Sequence, residues 1–176
     1  MLNKKISLLA LMAGLAISYN ANASDGQINF TGTITDETCT VTNSPSSPLS
    51  VTLGSVAKSA FSGVGSTAAA TKFTIMLTGC PQSANVNSVS VKFDGIADGT
   101  NKDVLALTAG EGVAEGVGIQ LTEDNGTVLP LFSASSSFTL ADGDNKLNFI
   151  ARYIATSATV TAGTANAVSN FTIIYN

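Results

Sequence analysis

The chain has 176 residues with 8 basic and 12 acidic side chains, no His and no Trp, so its formal net charge is −4. That balance excludes the basic excess and aromatic interleaving of a nucleic-acid binder, and the lack of His removes the commonest general base, the commonest metal ligand and every Ser-His or Cys-His nucleophile pair. With 44% hydrophobic and 11% charged residues, the chain has the apolar content of one folded domain rather than the composition of disorder, and no catalytic group, cofactor or metal is expected.

At the start of the chain, Lys4 and Lys5 precede an apolar run over residues 6–17, and Ala21-Asn22-Ala23 puts small residues where a signal peptidase reads them. Residues 1–23 are therefore read as a secretory signal peptide. An uncleaved anchor is the alternative, but a spanning helix needs roughly 20 apolar residues and this run gives way to the polar Ser18, Asn20 and Asn22. Losing Lys4 and Lys5 with the leader makes the remaining chain more acidic. Export places Cys39 and Cys80 in an oxidising compartment, where an even pair is most simply a disulfide. A redox-active pair is the competing reading; the spacing is far from C-x-x-C, and neither cysteine has a basic neighbour to lower its thiol pKa.

Beyond the leader, short Val/Ile/Thr/Phe runs alternate with Gly/Asn/Asp/Ser turns, an all-β pattern. Strands are predicted at 27–35, 38–43, 50–53, 71–78, 88–93, 103–108, 117–122, 128–132, 137–140, 146–155 and 168–175. Asp94-Gly95, Asp98-Gly99, Asn125-Gly126 and Asp142-Gly143 supply turns between them. A two-sheet sandwich is the expected architecture. Residues 55–70 hold a short helix or a loop, with Gly63-Val64-Gly65 favouring the loop, and 43–50 is a loop. In the first predicted strand Ile28, Phe30, Gly32 and Ile34 share one face and Asn29, Thr31 and Thr33 the other. On pattern alone this is compatible with an ordinary first strand of the sandwich. In the last, Phe171, Ile173 and Tyr175 alternate with Thr172 and Ile174 before Asn176.

Several short motifs lack the companions that their chemistry needs. Ser55-Val56-Ala57-Lys58 matches S-x-x-K, but the companion S-D-N and K-T-G elements are absent. The glycines at 110, 112, 116 and 118 lack dinucleotide or P-loop spacing and read as a mobile loop. Asp142-Gly143-Asp144-Asn145 lacks the further ligands and distal Glu of a calcium loop and reads as a turn. Sequons begin at Asn29, Asn125 and Asn170, as a Thr-rich sequence produces by chance.

The C-terminal stretch 151–176 resembles the end of major subunits of the type 1 fimbrial family, assembled by the chaperone–usher pathway. The likeness rests on Ala151-Arg152-Tyr153, the Ala155-Thr156 and Ala162-Gly163 turn region and the penultimate Tyr175. Ile28, Phe30, Gly32 and Ile34 followed by Cys39 resemble the family's donor strand and first disulfide half, and Leu77-Thr78-Gly79-Cys80 resembles the second half. Val104-Leu105-Ala106-Leu107 and Val117-Gly118-Ile119-Gln120-Leu121 resemble core strands.

The resemblance implies an incomplete immunoglobulin-like β-sandwich, the pilin fold, lacking its last strand and completed by donor-strand complementation. It divides the chain into a signal peptide at 1–23, a donor extension at 24–34 and a pilin domain at 35–176. Phe171, Ile173, Tyr175 and Asn176 would form the groove edge and chaperone contact. The implied partners are neighbouring subunits in a head-to-tail homopolymer, a periplasmic chaperone and an outer-membrane usher; no host receptor is identified. The implied function is a structural subunit of a surface fimbria that supports cell adhesion, reached through the periplasm. A minor adaptor or adhesive pilin of the same kind of fibre is the alternative.

Overall fold

The computed structural model describes residues 27–32, 34, 38–81 and 87–176. The expected signal peptide over 1–23 and residues 24–26 of the expected extension lie outside them. Contacts divide the chain after Ile34, and Thr35–Asn176 form a compact unit by themselves. The described part of that unit is all-β: β1 (Thr40–Val41), β2 (Thr67–Cys80), β3 (Ser88–Gly95), β4 (Val117–Glu123), β5 (Val128–Leu129), β6 (Phe138–Thr139), β7 (Gly143–Ala155) and β8 (Ser169–Tyr175). Among the described residues the only helical element is a single 3-10 turn at Lys58–Ala60. One sheet has the order β1-β2-β7-β4-β5 and the other β6-β3-β8, and every ladder is antiparallel.

The period-two pattern explains which face each strand buries. In β7, Asn145, Leu147, Phe149 and Ala151 are buried while Asp144 and Lys146 are exposed, as a strand with one face on a core requires. Ile75 and Leu77 of β2 and Val89, Val91 and Phe93 of β3 supply the facing layers. Phe149 has no exposed surface and packs edge-on against Phe93 at 5.1 Å and Phe138 at 5.6 Å between ring centres. Such edge-to-face pairs add about 0.5–1.5 kcal/mol each beyond the area they bury. Cys39 and Cys80 form a disulfide across a sequence separation of 41.

The structure corrects several predicted boundaries. β2 begins at Thr67 rather than 71, because the Ala-rich run pairs with the end of β7 across a register shift between Ala68 and Thr71, where Ala69 has φ 56°. β5 stops at Leu129 since Pro130 has no N–H to continue a ladder. The described residues of 27–35 form no strand, and neither do residues 50–53. Residues 103–108 form only isolated bridges: Leu105 exchanges two hydrogen bonds with Ile119 of one sheet and also bridges to Ala97 beyond β3 of the other. A segment that crosses between sheets cannot run alongside either one.

The glycines at 110–118, expected in a mobile loop, are pinned. Thr164 donates to Gly112 O, Ala114 to Thr164 O and Thr156 to Gly116 O, each at 2.8–2.9 Å, and Gly118 lies within β4. A Cβ on Gly118 would sit 2.6 Å from Val104 Cγ1 and 2.8 Å from Leu105 O. The glycine there permits close backbone approach rather than motion.

Candidate functional site: a groove between two strand edges

Antiparallel ladders alternate hydrogen-bonded and non-bonded pairs, so one bond fixes which backbone groups a strand turns toward its neighbour. On β1, Thr42 N–H donates to Met76 O at 3.1 Å in the register that pairs Thr40 with Thr78 and Val41 with Leu77. Residues 40 and 42 therefore bond to β2, and the N–H and C=O of Cys39 and Val41 point away from it. On β8, Asn176 N–H donates to Ser88 O at 2.9 Å, in register with the pairs Ser90/Ile174, Lys92/Thr172 and Asp94/Asn170. The backbones of Phe171, Ile173 and Tyr175 are thus turned away from β3. The far side of β3 agrees, since Val91 O and Phe93 O accept from Ser135 and Phe132 at 2.8 and 2.9 Å instead of from β8.

These two outward-turned edges border a groove of about 800 Å³ in the sandwich. Phe73, Ile75, Phe93, Ile119 and Leu121 form its floor. Val41 of β1, Val51 and Leu53 of the following loop, and Phe171, Ile173 and Tyr175 of β8 also line it. Among the described residues no Asp, Glu, Lys or Arg lines it. The arrangement offers apolar pockets and two rows of backbone donors and acceptors, which is the surface an extended polypeptide needs.

Tyr175 closes one end. Its hydroxyl accepts from Cys39 N–H at 3.0 Å and donates to Cys39 O at 3.5 Å, so the phenol spans from β8 to the residue preceding β1. Because β8 runs toward that end and β1 away from it, the two edges are antiparallel across the gap. Asn176 is held beyond it, its side-chain amide donating to Ser90 Oγ at 3.2 Å.

The remaining residues singled out in the sequence lie on the segment before Cys39. Ile28, Phe30 and Ile34 are 78%, 92% and 102% exposed, and a Cβ on Gly32 would meet nothing within 4 Å. Two features of the site were not read from the sequence. One is the Tyr175–Cys39 link, which joins residues 136 positions apart. The other is the rim contributed by the 43–53 loop, which Asn43 anchors by accepting the Met76 N–H at 3.1 Å.

Comparison with known proteins gives this groove its context. The fimbrial protein family profile matches residues 28–176. A type-1 fimbrial protein subunit of Serratia marcescens is 38% identical, covering 98% of this chain and 99% of the relative. Long polar fimbria protein A of Salmonella typhimurium is 32% identical over 99% and 98%. Among solved structures, a type I fimbria protein of Burkholderia pseudomallei superposes with a TM-score of 0.61 at 46% identity, covering 85% of this chain and 97% of that one. The P pilus rod subunit PapA superposes with a TM-score of 0.65 at 26% identity, covering 78% and 99%. An all-β sandwich left incomplete between two strand edges, matched along its length by fimbrial subunits, places this chain in the fimbrial protein family, as a structural pilin subunit of a fimbria.

Proposed function

We propose that this pilin polymerises by donor-strand exchange, residues 24–34 of one copy entering the groove of the next to build a head-to-tail surface filament that supports adhesion. The observation that carries the reading is the pair of facing edges, which leaves the backbones of Val41, Phe171 and Ile173 turned into an apolar groove. The exposed Ile28, Phe30 and Ile34, with Gly32 on the same alternating face, are its natural occupants. Each of the three large side chains gains roughly 1.5–3 kcal/mol on burial. A contact of one surface with a different one on the next copy does not close, so it extends into a fibre. On the way through the periplasm a chaperone strand would cover the same groove and take the carboxylate of Asn176, and an outer-membrane usher would exchange it for the next subunit.

The test is Phe30→Asp. The subunit should fold and accumulate in its chaperone complex but fail to add to fibres, because a carboxylate in a dry pocket costs several kcal/mol. Fibres formed at the wild-type rate, or loss of the chaperone complex itself, would show that residues 28–34 act elsewhere.

A further inference from the structure

We infer that the Tyr175 hydroxyl sets the register in which a strand occupies the groove; this rests on the donor-strand reading above. Cys39 and Val41 are the two positions at which the edge of β1 turns its N–H and C=O into the gap. At Cys39 both groups already bond to the phenol, at 3.0 and 3.5 Å, whereas among the described residues Val41 has no such partner. An entering strand finds its first ladder partner on β1 at Val41 and meets an edge already satisfied by the hydroxyl at Cys39.

The consequence follows from strand periodicity. A slip of one residue would turn the apolar face of the entering strand to solvent, so the slip a groove must guard against is two residues. A slip of two residues keeps Ile28, Phe30, Gly32 and Ile34 turned into the groove and only exchanges which position each fills. The Tyr175–Cys39 link removes the position that the slipped register needs. Cys39 is itself fixed by its disulfide to Cys80 at the end of β2, so the stop is anchored to the wall of the groove.

The experiment places a photo-crosslinking side chain in the donor, Phe30→benzoyl-phenylalanine, in fibres of otherwise wild-type or Tyr175→Phe subunits, and maps the adduct on the acceptor by mass spectrometry. Wild-type fibres should give one acceptor site. Tyr175→Phe keeps the ring but releases the Cys39 backbone, and should add a second site two residues closer to position 175. An unchanged single site in Tyr175→Phe fibres would overturn the inference. Should Tyr175→Phe subunits not accumulate, moving the probe to position 28 in the wild-type chain must shift the adduct in step by two residues, and adducts scattered over two registers would overturn it. Absence of any adduct in the wild-type groove would instead refute the donor-strand reading.

Discussion

Glu123 is the acidic residue whose surroundings most depart from a solvated surface position. It is 8% exposed, and its carboxylate accepts from Ser136 N–H at 2.6 Å and Ser136 Oγ at 2.7 Å. Removing it strands the Ser136 N–H in a partly buried site, so Glu123→Ala should lower unfolding free energy by about 1–3 kcal/mol in urea titration. The neighbouring Asp124 pairs with Lys72 on the exposed surface, and Asp124→Ala should cost no more than about 1 kcal/mol. In the sequence the two acids stand side by side before Asn125-Gly126 and look alike; what separates them is a partner 13 positions away. Tyr153 gives a pH prediction. Burial raises its hydroxyl pKa above the usual 10.0, so the folded state holds that proton longer than the unfolded chain. Stability contributed this way is intact below pH about 10 and lost as pH rises through the folded value. The wild-type Tm should fall more steeply above pH about 10 than that of Tyr153→Phe, and parallel alkaline profiles would remove Tyr153 as the cause.

At the level of elements, the strength of each strand follows how much of it is paired. β2 and β7 are long and share an extended ladder, while β1 has two residues and among the described residues pairs with β2 alone. What holds β1 is the disulfide at its start and the Asn43 side chain at its end. Cys39→Ser should therefore loosen the groove wall before the core: closure of a loop this long stabilises by ~4 kcal/mol in the chain-entropy model. Hydrogen exchange should show the amides of Thr40 and Thr42, which bond to β2, losing protection ahead of those in β7, and uniform loss across both strands would contradict a local role. The long alternating strands were legible in the sequence because Leu147-Asn148-Phe149 and Val89-Ser90-Val91 carry the period themselves. The failures share a cause. Residues 103–108 have strand composition but a path between two sheets, and Ala68–Ala70 have loop composition but a partner in β7. In both cases a neighbour distant in sequence decided the outcome.

For the whole molecule the consequence of the groove is that apolar surface stays uncovered until something fills it. An isolated subunit exposes an apolar groove and open strand edges, both of which favour aggregation. A peptide of residues 24–34 that binds the folded state alone should raise its stability by about 2.7 kcal/mol at a concentration one hundred times its Kd. Calorimetry would read this as a Tm that climbs with peptide concentration, and a Tm indifferent to the peptide would count against the groove as its site. The residues lining the groove were partly legible, since Phe171, Ile173 and Tyr175 alternate in plain view. The groove itself was not legible from pattern, because a missing neighbour writes no residues into the chain; only resemblance to a family suggested it.

The direction in which the two edges point has a mechanical meaning. Backbone bonds across an antiparallel ladder lie perpendicular to the strands, and the gap runs along the length of β8 toward the end closed by Tyr175. Tension applied along a strand seated there loads its whole row of bonds together, in shear, whereas a strand peeled from one end would break them singly. A junction made in this way would resist a pull along the strand far better than a peel from one end.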